Sequence, residues 1–347
     1  MKRWLAETSL VMGSMLAALL LVMVGLSLAG YPALNVLNEW RLGAVGTWFD
    51  VAVGIKNACP LILTGLAAGV AFRCGVFNIG AEGQSILGSV AAATVATRLL
   101  PAGTPYLLAI PTTLLAAMAL GSLWGAVAGV LDRTRGVPIV LSTILLNFIA
   151  LALLGILLEG PLHAHGSSVV QSDSLPHAFW LPMIPNMPGL HVGILIAVAA
   201  AGLSWLVQAR TAFGFELLVT GLNPTAARLA GIPVASRQMG VMLLSGAFAG
   251  LAGAIQVMGI EGHVLTPNPT SYGYAGIAVA LLGRLHPAGI VAAALFFGML
   301  DQGAANVEIS RYALPHQAAD VLKGVLVLVI LVGTSYLSRR RTMARER

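Results

Sequence analysis

The sequence predicts an all-α polytopic membrane protein, on three observations. Of its 347 residues, 58% are hydrophobic and only 9% charged. A soluble domain carries roughly 25% charged residues, so this chain cannot dress a water-facing surface. Apolar runs of about 20 residues, enough to span a bilayer as a helix, recur along it. Its basic residues also gather on one side of those runs. Two cysteines, Cys59 and Cys74, both in apolar context, exclude a disulfide framework and a Cys-based metal site.

The first run, 9–28, follows Lys2 and Arg3. It exceeds the about 7–15 apolar residues of a signal peptide, so it reads as a retained spanning helix. Further spans are expected near 44–71, 78–97, 107–131, 138–158, 190–208, 239–259, 271–283, 287–305 and 315–337. The 271–283 segment is too short to cross as a straight helix. It needs the preceding PNPTSYGY as a re-entrant or broken segment. About ten crossings put both termini on one side. The chain then forms a single transmembrane domain: a first half 9–158, an outer loop 159–189, and a second half 190–337 containing the loop 211–238.

Charge tests that topology. Lys2, Arg3, Arg73, Arg133, Arg135, Arg210, Arg228, Arg237, Arg284, Arg339, Arg340, Arg341, Arg345 and Arg347 fall on the side of the termini, and Arg41, Arg98 and Arg311 opposite. Positive charge marks the cytoplasmic face, so the termini are expected in the cytoplasm of a bacterial inner-membrane protein. The formal charge of +6 is then a topology signal rather than a nucleic-acid footprint. The basic tail can touch anionic lipid or act as a plain stop-transfer anchor. The outer loop is rich in Pro, Ser and His. His163, His165, Asp173 and His177 lack the spacing of a metal site, and a capping loop that meets a soluble binding protein is the expected reading.

The longest polar interruption on the basic side is 211–238, and it carries its own helix grammar. Asn223 suits an N-cap and Pro224 the first helical position. Thr225 to Ala230 reads as a short helix, which Gly231 ends and Ile232-Pro233 stops. A helix of about two turns is not stable alone in water, so it lies on the membrane surface or docks on a soluble partner.

No P-loop, G-x-S-x-G elbow or HExxH sequence occurs, so an enzymatic role is not expected. The informative interior stretch is FRCGVFNIGAEGQSILGS, residues 72–89. It places Asn78, Glu82 and Gln84 among glycines at the start of a span. An intramembrane carboxylate must be paired or face water, so the stretch is either a tight helix crossing with Glu82 bonded to backbone or a broken helix lining a pathway. Residues 255–287 hold the corresponding place in the second half. There Tyr272 and Tyr274 can stack on a base or sugar face or anchor a helix at the interface, and Gln256 and Glu261 can bond hydroxyls. Paired interrupted segments in oppositely oriented halves point to a pathway near the pseudo-symmetry axis. Other polar residues in apolar runs are Lys56, Asn57, Asn147, Asp301, Asn306, Asp320 and Lys323. Asp320 and Lys323 share a helix face and read as self-neutralising.

The segment FGFELLVTGLNPTAARLAGI closely resembles the cytoplasmic coupling loop of ABC importer permeases, in the branched-chain amino acid, ribose and nucleoside permease superfamily. LTGLAAGVAFRCGVFNIGAEGQSILGS resembles the simple-sugar and purine-nucleoside branch, and its FNIGAEGQ form favours nucleosides. Asn147 lies in a segment similar to that branch, but Val137-Pro138-Ile139 replace its usual Asn-Glu-Val. The resemblance runs from about Phe49 to Lys323. It implies two inverted five-helix halves and a coupling helix seated in a groove of an ATP-binding subunit, with Asn223, Pro224, Ala226, Ala227, Arg228 and Gly231 as coupling residues. It also implies a second permease, usually a different chain, an extracytoplasmic substrate-binding protein, and no cofactor on this chain, ATP and Mg being held by the ATPase. Asn78, Glu82, Gln84, Asn147, Gln256, Glu261, Tyr272 and Tyr274 are then the candidate pathway residues. The rival reading is an ion-coupled secondary transporter using Glu82, Asp301 or Asp320; a structural scaffold would tolerate loss of Glu82 and Asn223.

Overall fold

A computed structural model describes residues 2–185, 187–266 and 271–343. The described residues are helical, with isolated β-bridges only. Each expected span coincides with a helix: α1 Lys2–Leu28, α3 Trp48–Arg73, α4 Ala81–Thr94, α5 Tyr106–Arg135, α6 Ile139–Glu159, α7 Gly193–Arg210, α10 Val234–Gln256, α11 Tyr272–Leu282, α12 Pro287–Ile309 and α13 His316–Met343. Three more helices complete the order: α2 Ala33–Val45, α8 Ala212–Leu222 and α9 Pro224–Leu229. Among the described residues, 6 helices are long and apolar enough by themselves to cross a membrane, as a multi-pass membrane protein requires. The Pro267–Thr270 part of the expected break before α11, and Arg345 and Arg347, lie outside the described residues.

Two compact units divide the chain. One comprises residues 1–54 and 299–347, the other 55–298. In the first unit Val22, Leu26, Val36, Trp40, Ala304, Val307 and Ala319 build an apolar core. The Trp40 indole donates to the Leu300 carbonyl at 3.0 Å. The expected Asp320–Lys323 pair is part of a triad: Lys323 Nζ lies 2.8 Å from Asp320 and 2.6 Å from Asp301. That arrangement offsets the cost of holding charge in apolar surroundings.

The second unit is organised around α10. Of its most apolar window 83% is buried, and of that in α3 72%, against 28%, 33% and 22% for α5, α6 and α7. Small residues make that burial possible. A Cβ on Gly250 would run into the Ala117 carbonyl, one on Gly88 into Gly250, one on Gly121 into Gly246, and one on Gly253 into Ser85. So α4, α5 and α10 touch backbone to backbone, as membrane helices do where small residues line the interface. The far ends of α4 and α10 continue as π-helical turns, Val95–Leu99 and Val257–Glu261.

Candidate functional site

Arg73 ends α3 and bonds Gln208 on α7 at 2.8 Å, which places two basic helix ends together. At this basic end Thr211 caps α8 by accepting from Gly214 N–H at 3.1 Å. Asn223 caps α9 as its sequence suggests: its side-chain oxygen accepts from the Thr225 and Ala226 amides at 3.0 Å each. Pro224 is the first helical residue and Gly231 has φ +81°, the left-handed region that glycine tolerates without strain. Ala227 is fully buried, whereas Ala226, Arg228, Leu222 and Leu229 are exposed, the last at 86%. Arg237 on α10 pairs with Glu216 on α8 and lies 5.5 Å over the Phe213 ring. The helices before and after α9 are thereby tied together.

The second group of predicted residues meets where α4 and α11 begin. Asn78 is fully buried; its amide nitrogen donates to Ser245 Oγ at 2.8 Å and Gln84 Oε1 at 3.2 Å, and its oxygen accepts from Gly80 N–H at 2.8 Å. Asn147 on α6 accepts from Gly83 N–H at 2.9 Å and donates to the Ile79 carbonyl at 3.0 Å and the Tyr274 hydroxyl at 3.2 Å. Glu82 Oε2 accepts the Gly273 amide at 2.8 Å, and the Tyr274 amide also bonds this carboxyl. Gly273 is obligatory here, because a Cβ would overlap the Glu82 backbone. A carboxylate at a helix N-terminus meets the positive end of the dipole, so Glu82 joins the starts of two interrupted helices. The 72–89 stretch is thus a tight crossing with Glu82 bonded to backbone, and the helix is broken between α3 and α4.

Asn78, Gln84 and Asn147 thus spend their amides on protein atoms and are buried, while Tyr274 is 40% exposed. Tyr272 is half-buried, its carbonyl accepting from Thr64 Oγ1 at 2.9 Å. Gln256 and Glu261 bond each other at 2.8 Å at the far end of α10. Sequence reasoning missed Ser245, Thr143, which accepts from Ile79 N–H at 3.3 Å, and Gly221, whose Cβ would strike the Arg73 carbonyl. The signal for Ser245 was its place as the one hydroxyl in the α10 stretch MLLSGAFAGLAGA.

At the opposite end, the loop after α6 is laced to the π turn of α10. Leu181 N–H bonds the Met258 carbonyl, Leu175 N–H that of Gly262 and Ser172 N–H that of Val264, at 2.8–2.9 Å. Asp173 joins Arg98 at 2.9 Å and the His165 amide at 2.9 Å. Its carboxyl sits below its ordinary value: desolvation, the largest single influence, pushes it up, and the His165 and Arg98 hydrogen bonds together outweigh it. His191 is fully buried, its Nδ1 accepting from Gly193 N–H at 3.0 Å, which leaves Nε2 to carry the proton.

A profile of the family described as branched-chain amino acid transport system, permease component, matches residues 51–331. The chain belongs to this permease family. The match takes in both helix breaks and the capped α9 loop. Among relatives of this permease, the guanosine ABC transporter permease NupP of Bacillus subtilis is 36% identical, the match covering 95% of this chain and 93% of that one. The glucose ABC transporter permease TsgB13 of Haloferax volcanii is 32% identical over 97% and 90%. The nucleoside ABC transporter permease NupB of Lactococcus lactis is 28% identical over 93% and 89%.

Proposed function

We propose that this permease is the membrane-spanning subunit of an ATP-driven importer of nucleosides. It spans the bacterial cytoplasmic membrane about ten times as two inverted five-helix halves, with both termini in the cytoplasm, as the one-sided arginines favour. A soluble ATPase subunit holds ATP and Mg. A second permease, a different chain, completes the pathway, and an extracytoplasmic binding protein delivers the solute. The observation that carries the coupling role is α9: a capped two-turn helix at the basic end that leaves Leu222 and Leu229 uncovered, an apolar surface suited to a partner's groove. The relatives named for guanosine and nucleosides support the solute class, with Tyr274 and Tyr272 as the aromatic faces it would meet.

The relative named for glucose keeps a simple sugar as the second reading. Ion coupling is the weaker rival, because Glu82 is occupied by α11's amides and Asp301 and Asp320 by Lys323. The deciding experiment is uptake of labelled guanosine, adenosine, uridine and glucose by cells expressing the chain with its partner subunits, comparing wild type with Gly231→Asp. Nucleoside uptake that needs ATP, survives an uncoupler when ATP is maintained, and is lost in the variant is expected. Uptake that follows the ion gradient and survives the substitution overturns the ATP-coupled reading. Uptake of glucose alone removes the nucleoside and leaves the mechanism.

A further inference from the structure

We infer that Ser245 is the positioning residue through which movement of the α8–α9 loop reaches Tyr274, an inference that rests on the pathway role proposed above. Four residues separate α9 from α10, which is tied to α8 through Arg237 and Glu216, so the basic end of α10 and the loop before it move as one body. Two contacts lead from that body to the break before α4. Gly221, two residues before the α9 cap, lies directly on the Arg73–Cys74 backbone. Ser245, three turns into α10, donates its hydroxyl proton to the Ala67 carbonyl at 2.7 Å and accepts from Asn78 at 2.8 Å. Both Ser245 and Asn78 are fully buried. A buried hydrogen-bonding group left unpaired costs free energy, so displacing Ser245 carries Asn78 with it or leaves both exposed to that penalty.

Asn78 in turn holds Gly80, and the turn it shapes grips Tyr274 at both ends. Glu82 accepts from the Gly273 and Tyr274 amides, while Asn147, fixed to Ile79 and Gly83, donates to the Tyr274 hydroxyl. The half-exposed ring therefore has no placement independent of the 78–84 turn. Small displacements are passed on by such packed, hydrogen-bonded chains rather than absorbed.

The test uses the complete importer in proteoliposomes and measures solute taken up per ATP hydrolysed, which a purely structural defect would not move in assembled complexes. Ser245→Ala is expected to lower that ratio about tenfold, the scale of a lost buried hydrogen bond, with Ser245→Thr restoring most of it and Ser245→Cys lying between. Tyr274→Phe, which keeps the ring and loses its tether, is expected to lower the ratio similarly. The Ser245→Ala/Tyr274→Phe double variant is expected to be no worse than Ser245→Ala, because members of one relay are not additive. A wild-type ratio in Ser245→Ala or, if that variant does not assemble, in Ser245→Cys overturns the relay. So does multiplication of the two defects. Wild-type uptake by Tyr274→Ala overturns the pathway assignment itself; loss of uptake there beside a wild-type ratio in the Ser245 variants removes the relay alone.

Discussion

Asn223 shows how much one side chain decides at a helix end. Its oxygen takes the Thr225 and Ala226 amides, which no intrahelical carbonyl can reach. Asn223→Ala is expected to destabilise α9 by about 1 kcal/mol. Hydrogen exchange at residues 225–230 should then speed up about fivefold, and unchanged exchange would mean that the partner surface, not the cap, holds the helix. Asp173 sets a pH response at the other end. Its carboxyl is held below its ordinary value of 3.8, so the unfolded loop binds more protons as pH falls through that value. The stability this adds to the loop lacing is therefore present above 3.8 and is lost as pH falls through the folded value. Hydrogen exchange across residues 160–180, followed from neutral pH to below 3.8, checks that window. Asp173→Asn should flatten it, and an identical profile in that variant would assign the response elsewhere.

At the scale of elements, a crossing made of glycines tolerates no added atom. Gly250→Ala is expected to lower the midpoint of thermal unfolding by several degrees or to abolish expression, since overpacking costs typically about 1–3 kcal/mol. Gly202→Ala, with open space around it, should stay within about 0.5 kcal/mol of wild type; equal effects of the two would contradict the packing described. In the smaller unit, Lys323→Met leaves Asp301 and Asp320 without their shared cation. It should destabilise more than Lys323→Met combined with Asp301→Asn, because removing the cation from a partly buried ion pair costs more than removing the pair. Thermal unfolding of the purified variants measures the difference. Helix caps and spans were legible in the sequence because they are local: Asn223, Pro224 and Gly231 sit where their chemistry puts them. α8 was not, since its 11 residues are too few to span and lay inside a segment read as a loop. α2 was hidden likewise by Asn38, Glu39 and Arg41.

For the molecule as a whole, the candidate site was legible as a list and not as an arrangement. Asn78, Glu82, Gln84, Asn147 and Tyr274 were singled out by polarity inside apolar runs, but Ser245 stands 167 positions from Asn78, and nothing in either stretch names the other. The sequence named these amides as candidates without their partners: Asn78 and Asn147 hold backbone groups, while Gln84 and Gln256 bond other side chains. Interrupted helices explain the backbone bonds: a break leaves N–H groups unpaired where a helix starts and carbonyls unpaired where one ends, and these claim the nearest polar side chains. The glycine crossing has one more consequence. α10 with its π turn runs Val234–Glu261, 28 residues, or about 42 Å at the usual helical rise. Gly250, where Ala117 and Gly88 bear on it, divides that length at about 24 Å from the basic end and about 17 Å from the other. A rod pinned there is a lever with unequal arms, so each 1 Å push at Val234 would swing the laced end about 0.7 Å the opposite way.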